Sequence, residues 1–471
     1  MEKPPGSILI IGSGVFGLST AWALTKRPFF QGTAITVVDN ANGTFPPEDA
    51  ASCDTSRIIR ADYADSVYSE LMEEAHEAWR KQGDDDFGGQ GRYSESGLVL
   101  TANYPKKGAF LAKKTAVEYV RSSCENVKKI AEQSGQGEKV IELNSREALR
   151  EILGNPDDPG EMGYLNKLSG WGDATAAMAY LQAKVQATER VKFVDGRVKK
   201  LMTRGSHVVG ADVDGHGVLN ADIVFCAAGA WTAALVDVRG RAEATGHVLA
   251  HVAITPEEQA VMEKQPVVLN LSSGHFFIPP RNGLLKVARH SYGYLNPVTI
   301  HDALPLSPLH KREPIVASLP RTSRDNASEP LPAEADKDLR KALKDLLPIK
   351  GVESRPWEQT RICWYSDTRD ADWLADWHPG WRGLFVATGD SGHGFKFLPV
   401  IGDRFVDLML GKGGKLGYKW RWKNLADDGV GREKEGGVYK GLITEDGSRG
   451  GEPGMILDEE VKKGGGVRSK L

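Results

Sequence analysis

The first 40 residues carry the hydrophobic pattern of a strand, a tight turn, a helix and a second strand. A β-branched apolar run at residues 8–11 leads directly into Gly12-Ser-Gly-Val-Phe-Gly17, and apolar residues then recur with helical spacing over residues 18–24. A second β-branched run, at residues 35–38, ends in Asp39. An acidic residue about 20 positions beyond such a glycine turn is typical of a dinucleotide-binding fold. If only the glycines are considered, an ordinary glycine turn is the alternative to a dinucleotide site.

Helices and strands no longer alternate regularly after Asp39, which excludes a simple dinucleotide domain of six parallel strands. The further predicted elements are a helix over residues 68–81, a strand over 93–101, a helix from Asp173 to about Gln186, a hairpin or ribbon of 191–198 with 208–213, and a buried strand within 221–232 beside the first strand. Residues 240–350 are rich in proline and broken strands, which indicates a separate antiparallel layer.

These elements predict an α/β (α+β) chain with a Rossmann-type dinucleotide-binding domain and a discontinuous substrate domain built on an antiparallel sheet. The first domain is predicted to comprise residues 1–90, 165–240 and 355–415, and the second 91–164 and 241–354. Residues 416–471 are rich in glycine and lysine without an apolar period. They are predicted to form a flexible, loosely ordered tail.

Composition and charge exclude several classes of function. The net charge is −3, so no strong positive field exists and nucleic acid is not an expected partner. Four cysteines without a Cys-x-x-Cys pair predict neither a disulfide framework nor a metal site. The uncharged stretch 7–25 contains three glycines and several hydroxyl residues, which argues against a signal peptide or a membrane span.

The sequence ends in Ser469-Lys470-Leu471. At a free C terminus this tripeptide is the address that the peroxisomal import receptor reads. The expected location is therefore the peroxisome.

Seven short segments carry a resemblance that spans residues 7–410. In order, they are Gly12-Ser-Gly-Val-Phe-Gly17, Ser56-Arg-Ile-Ile-Arg60, Gly170-Trp-Gly-Asp173, Ala228-Gly-Ala-Trp-Thr232, Leu285-Lys286, Arg361-Ile-Cys-Trp364 and Ser391-Gly-His-Gly-Phe-Lys-Phe397. Together they resemble the flavin-dependent amine oxidases grouped around monomeric sarcosine oxidase, pipecolate oxidase, saccharopine oxidase and the fungal fructosyl amino acid oxidases. The resemblance implies an FAD-dependent oxidase that converts a secondary (N-alkyl or cyclic) amino acid to an imine and reduces O2 to H2O2.

The same resemblance implies how FAD is held. Its pyrophosphate would lie over the first glycine turn, where backbone N–H groups and the helix dipole favour an anion, and Asp39 would bind the adenosine ribose. Cys363 matches the cysteine that is bonded to the 8-methyl carbon of the flavin, and we expect Arg361 to stabilise its thiolate. A buried structural cysteine is the alternative for Cys363. The complete cofactor-binding set is Gly12, Gly14, Val15, Phe16, Gly17, Asp39, Ser56, Arg57, Trp231, Cys363, Gly392, Gly394, Phe395 and Lys396.

Catalytic and substrate-binding roles follow from the resemblance as well. The implied catalytic residues are Lys286, Arg57 and His290. Lys286 matches a lysine near flavin N5 whose positive charge helps electrons pass to O2, although spacing alone would favour a solvated strand residue. Arg60 and Lys396 match two cations that bind the substrate carboxylate, although a surface role is the default for Arg60 without the resemblance.

The sequence does not determine which amine is the substrate. Fructosyl amino acid oxidases carry glutamate four residues after the active-site lysine, where this chain has His290, although Ala61-Asp-Tyr63 resembles the fungal branch. Five tryptophans between Trp357 and Trp381 form either an aromatic cage or part of the core. A cage would suit a biosynthetic oxidase whose imine cyclises. A nucleotide-binding protein without catalysis is the remaining alternative.

Overall fold

The computed structural model describes residues 3–105, 112–326, 330–424, 434–435, 438–439 and 441–464. Six strands form its first sheet. In order across the sheet they are Leu374–Trp377, Leu384–Thr388, Ile223–Cys226, Ser7–Ile11, Ala34–Asp39 and Val191–Asp195. Neighbours are parallel except for the pair Leu374–Trp377 and Leu384–Thr388. The strand predicted beside the first strand is confirmed, since Ile8 pairs with Ile223.

The predicted pairing of residues 191–198 with 208–213 is wrong in part. Val191–Asp195 joins the parallel sheet next to Ala34–Asp39, and only the following strand, Val198–Arg204, pairs with His207–Val213. Gly217–Asn220 completes that three-stranded ribbon. The alternating exposure of Val191–Asp195 suits a sheet edge as well as a hairpin, so its hydrophobic pattern could not distinguish the two.

Eight strands form a second sheet, and four of them lie within residues 240–350, where the sequence predicted a separate antiparallel layer. Their order is Trp357–Asp367, Glu243–Ala253, Leu284–Arg289, His275–Arg281, Val267–Asn270, Leu98–Ala102, Met162–Asn166 and Val140–Leu143. All neighbours are antiparallel except Val267–Asn270 and Leu98–Ala102. Trp357–Asp367 thus lies in this sheet and not with the rest of residues 355–415, because it pairs along most of Glu243–Ala253.

Shorter elements connect and cover the two sheets. The remaining strands are Arg57–Ile59, Gly170–Gly172 and Tyr93–Ser94 in one sheet, Pro297–Ile300 with Ile315–Ser318, and Lys434–Glu435 with Val438–Tyr439. The α-helices in the described ranges are Val15–Lys26, Ser66–Arg80, Ala116–Gln133, Arg146–Ile152, Ala174–Gln186, Thr232–Leu235, Pro256–Met262, Ala333–Leu346, Ile401–Met409, Gly414–Lys419 and Leu457–Lys462. Short 3-10 turns are Pro28–Phe30, Gly137–Lys139, Gly229–Trp231, Val352–Ser354 and Phe395–Phe397.

Both of the helices predicted after Asp39 are present, and the predicted cap at Asp173 is confirmed. The helix predicted over residues 68–81 is Ser66–Arg80, and Asp65 caps it by accepting from Val67 N. Asp173 caps Ala174–Gln186 by accepting from Ala176 N at 2.9 Å. No helix within the described ranges has the length and apolar character needed to cross a membrane.

The segment of residues 441–464 is folded, so the expectation of a loosely ordered tail is wrong there. Leu457 is fully buried, and the backbone of Leu295 exchanges hydrogen bonds with Met455 and Leu457 at 2.8 Å. The segment has no apolar period because it packs against the rest of the chain as an irregular strip and not as one long helix or strand. Ser469-Lys470-Leu471 lies outside the described residues.

Candidate functional site

The first glycine turn joins the strand Ser7–Ile11 to the helix Val15–Lys26. Gly12 has a φ of +99°, and a β-carbon on it would lie 2.3 Å from the carbonyl oxygen of Ala227. A β-carbon on Gly17 would lie 1.9 Å from the Gly12 oxygen. Both positions therefore require glycine. Gly14 gives the helix no side-chain cap, and Ser52 Oγ accepts from Val15 N at 3.0 Å, so the other N–H groups of the first turn are the ones suited to an anion.

Asp39 ends the adjacent strand and faces this turn. Its carboxylate accepts from Ser13 N at 2.7 Å and from Ser13 Oγ at 2.8 Å. Burial raises the pKa of this carboxyl, and the hydrogen bonds from Ser13 oppose that shift. A carboxylate can accept about four hydrogen bonds, so Asp39 retains capacity for a ribose hydroxyl. The turn and Asp39 together fit the pyrophosphate and ribose of a dinucleotide such as FAD.

Two further predicted turns lie at the carboxyl ends of neighbouring parallel strands. Trp231 ends the 3-10 turn after Ile223–Cys226, and the segment with Gly392, Gly394, Phe395 and Lys396 follows Leu384–Thr388. A β-carbon on Gly394 would lie 3.0 Å from the ring of Phe16, which begins the first helix with Val15. The fold thus gathers these predicted cofactor residues at one edge of the parallel sheet, where such folds bind their ligands.

Lys286 lies at the centre of a buried cluster of charges. Its Nζ donates to Asp54 Oδ2 at 2.5 Å and to the Ser56 carbonyl at 2.8 Å. Lys286 is only 3 % exposed, so the interpretation as a solvated strand residue is wrong. Burial lowers the pKa of Lys286 to about 8, while Asp54 opposes the shift. Burial alone would raise the pKa of Asp54, but Arg57 and Lys286 bring it well below its usual range.

Arg57, and not Arg361, contacts the sulfur of Cys363. Arg57 forms an ion pair with Asp54, and its Nη2 lies 3.4 Å from Cys363 Sγ. Arg361 instead donates to the carbonyl oxygens of Cys53 at 2.6 Å and Ala50 at 2.8 Å. The expected role of Arg361 is therefore corrected, because two carbonyls of the 50–53 loop hold its guanidinium.

A cavity of about 200 Å³ is lined by Arg60, Tyr63 and His290 among others. Arg60 is 4 % exposed, and its Nη1 has no hydrogen-bond partner among the described residues. Lys396 Nζ donates to Tyr63 OH and to the His393 carbonyl, each at 3.0 Å. Burial and the nearby Arg60 lower the pKa of Lys396 well below its usual range. A buried guanidinium with a free N–H is well suited to a carboxylate ligand.

His290 lies four residues beyond Lys286 and lines the cavity. Arg449 Nη1 contacts the His290 imidazole, and its Nη2 donates to Asp367 Oδ1 and the Ser391 carbonyl, each at 2.7 Å. Burial, followed by the charge of Arg449, lowers the pKa of His290 well below its usual range. His290 is therefore a neutral imidazole at the wall of the cavity.

Sequence reasoning missed Arg449 and Asp54. Arg449 lies in the segment that was expected to be loosely ordered, and no motif surrounds it. Asp54 had a weak signal, since it stands three residues before Arg57. A lone acidic residue at that distance does not indicate a contact with Lys286.

The tryptophan-rich segment belongs to the core. Four of its five tryptophans are buried in hydrophobic clusters, and Trp377 packs against one of them. Among the described residues, the aromatic side chains of the cavity wall are tyrosines and histidines, with no tryptophan. The same ranges contain no group of three or more His, Cys, Asp and Glu residues placed to hold a metal ion.

Comparisons with known proteins agree with this geometry. A family model described as FAD dependent oxidoreductase (DAO) matches residues 7–408. The chain is 31 % identical over 451 residues to the amino acid oxidase imqH of Aspergillus flavus, covering 86 % of this chain and 93 % of that protein. It is 30 % identical over 442 residues to the L-saccharopine oxidase of Schizosaccharomyces pombe, covering 90 % and 94 %.

A solved structure shows the same architecture along the whole chain. It is the fructosamine oxidase Amadoriase II of Aspergillus fumigatus, with a TM-score of 0.75, 25 % identity and coverage of 99 % of this chain and 98 % of that one. The family match, the two relatives and this likeness are consistent with the glycine turn and Asp39 as a dinucleotide site. The chain therefore belongs to the FAD dependent oxidoreductase family and is an FAD-dependent oxidoreductase.

Proposed function

We propose that this enzyme oxidises a secondary amino acid, N-alkyl or cyclic, to an imine and passes the electrons to O2 to form H2O2. The observation that carries the proposal is the buried guanidinium of Arg60 with its free Nη1, at the wall of the cavity. When bound, FAD supplies the ring that accepts a hydride equivalent and returns it to O2. The protein groups bind and orient the amine and set the charge around it.

Arg60 and Lys396 are assigned to the substrate carboxylate. Arg60 can donate two parallel hydrogen bonds to that group, and Lys396 Nζ, whose pKa burial and Arg60 lower, can donate a further one. Arg60 and Arg449 disfavour a protonated amine beside them, whereas Glu445 and Asp446 on the same cavity wall oppose that effect. A neutral amine is the form whose lone pair assists loss of hydride from the neighbouring carbon. The Arg60 end of the cavity thus supports binding of the carboxylate.

The charge state of the remaining residues supports their assigned roles. His290 is neutral, so it can form hydrogen bonds with the amine without adding to the positive charge. It cannot accept several sugar hydroxyls as a glutamate does, so among the N-alkyl amino acids we place those with a fructosyl group below N-methyl and cyclic ones. Lys286 is assigned to O2, because an ammonium in a buried site stabilises negative charge as it develops on oxygen.

Anaerobic titration of the purified holoenzyme tests the proposed reaction. N-methyl and cyclic amino acids should bleach the flavin absorbance, and admission of air should restore it with stoichiometric H2O2. Primary amino acids and fructosyl amines serve as comparison substrates and should reduce the flavin more slowly. The proposal fails if no secondary amino acid reduces the flavin.

We further propose that the flavin is covalently attached through Cys363. Arg57 Nη2 lies 3.4 Å from Cys363 Sγ, so a positive charge is next to the sulfur that would bond to the 8-methyl carbon in place of one of its hydrogens, with O2 as the two-electron oxidant and H2O2 as its product. Acid precipitation should leave the yellow colour in the protein pellet, whereas the Cys363→Ser variant should release it to the supernatant. Cys53→Ser is the matched control and should retain the colour in the pellet. Colour released from the unmodified protein would remove Cys363 from this role.

We also propose import into the peroxisome through Ser469-Lys470-Leu471, a location that confines H2O2. The tripeptide is the support for this proposal. Extension of the chain by one residue beyond Leu471 should abolish co-localisation with a peroxisomal marker, because the receptor reads a free C terminus.

A further inference from the structure

Asp54 is a buried carboxylate that shares one oxygen between two cations. Its side chain is 4 % exposed, and Oδ2 accepts from Lys286 Nζ and pairs with Arg57 Nη1. Oδ1 accepts from Thr55 N at 2.7 Å. The Asp54 carbonyl accepts from Thr175 N at 3.1 Å and Thr175 Oγ1 at 3.0 Å, so the first turn of the helix Ala174–Gln186 fixes its backbone.

The positions of Lys286 and Arg57 are both fixed by residues 51–56. Lys286 Nζ has its two acceptors on Asp54 and Ser56, so its position depends on the 54–56 backbone. Arg57 Nη2 donates to the Ala51 carbonyl at 2.7 Å and lies near Cys363 Sγ. Without a carboxylate between them, the ammonium and the guanidinium would repel each other inside a site from which water is excluded.

We propose that Asp54 is the positioning residue of the site, which holds the Lys286 ammonium in its place for O2 and the Arg57 guanidinium against Cys363. This inference rests on the proposed function, because it assumes that Lys286 acts on O2 and that Cys363 binds the flavin. Asp54 lies outside the seven motifs, and the inference gives it an effect on two steps: reoxidation of the flavin and attachment of the flavin.

The charges around Lys286 make the inference measurable. Asp54 is a negative group in contact with Lys286. The positive charges around this pair belong to Arg57 and Arg361. Cys363 and His251 are the other titratable groups that interact with Lys286. Burial and the charge of Lys286 lower the pKa of His251 to about 4, so this imidazole is neutral near pH 7. Loss of the Asp54 charge should therefore lower the pKa of Lys286 further, and the ammonium should deprotonate at a lower pH.

The test compares the wild-type holoenzyme with Asp54→Asn after reduction by dithionite, which needs no amine substrate. The pH midpoint above which reoxidation by O2 slows should move down by roughly one to three units. The fraction of flavin in the acid pellet should fall in the same variant. Asp54→Glu restores the negative charge and should return the midpoint toward the wild-type value.

Asp336→Asn is the matched control, because Asp336 also joins a guanidinium, Arg340 at 3.1 Å, to a buried side chain, Trp357. It should lower the melting temperature without moving the pH midpoint. An unchanged midpoint and unchanged flavin attachment in Asp54→Asn, with only a lower melting temperature, would show a purely structural role and overturn the inference.

A charge-balanced variant covers the case in which Asp54→Asn does not fold. The double variant Asp54→Asn/Arg57→Gln removes one charge of each sign, and its reoxidation should be slower than that of Arg57→Gln alone. Equal rates in these two variants would also overturn the inference. Failure of the wild-type enzyme to oxidise any amine would leave both comparisons intact, since neither uses an amine.

Discussion

Replacement of Lys286 by methionine should slow reoxidation of the reduced flavin by roughly 10²–10³-fold, the effect of removing one charge-stabilising donor from a buried site. Methionine has a similar length and fills the same space, while Asp54 keeps its ion pair with Arg57. Stopped-flow mixing of the reduced enzyme with O2 measures the rate. Anaerobic reduction by the substrate should change much less, because Lys286 is not assigned to amine binding.

The pH dependence of the same step has a defined sign. Burial lowers the pKa of Lys286 to about 8, so the ammonium is present below that pH and lost above it. Reoxidation by wild-type enzyme should therefore slow as the pH rises through about 8, whereas Lys286→Met should show no such step. Lys264→Met, at an exposed lysine, is the matched control and should reoxidise at the wild-type rate. An unchanged rate in Lys286→Met would remove this residue from O2 chemistry.

Replacement of Arg60 by glutamine should lower kcat/KM for a secondary amino acid by about 100-fold, the effect of losing charge-assisted hydrogen bonds to a carboxylate. Most of the loss should be an increase in KM, because the carboxylate is bound in the ground state and in the transition state alike. Steady-state kinetics with the amino acid and with its amine analogue lacking the carboxylate measure the effect.

The comparison of the two substrates shows whether the Arg60→Gln substitution acts by loss of carboxylate binding or by a change in the shape of the cavity. The amine analogue should lose little in Arg60→Gln, since it never contacted the guanidinium. Arg204→Gln, at an exposed arginine, is the control and should match the wild type with both substrates. An equal decrease for both substrates in Arg60→Gln would assign Arg60 to the shape of the cavity instead of to carboxylate binding.

Local features of the fold were predictable because their causes lie within a few residues. The glycine turn needs residues without a β-carbon, and Asp39 follows at the end of the next strand in the same unit. The cap at Asp173 and the strand Ile223–Cys226 also have local signals. The strand Val191–Asp195 was assigned to the wrong partner, because an alternating run specifies which face is buried and not which strand lies beside it.

The dinucleotide turn and, through the motifs, the family were predictable from the sequence alone. Which charges lie in contact depended on the tertiary structure. Lys286 and Asp54 are 232 residues apart in the chain, and Arg449 and His290 are 159 apart. Such contacts leave no periodic signal in the sequence, because they arise when separate sheets and a returning C-terminal segment pack together. The same packing buries Lys286 and Arg60, and in a buried site their charges interact more strongly with neighbouring groups than they would in water.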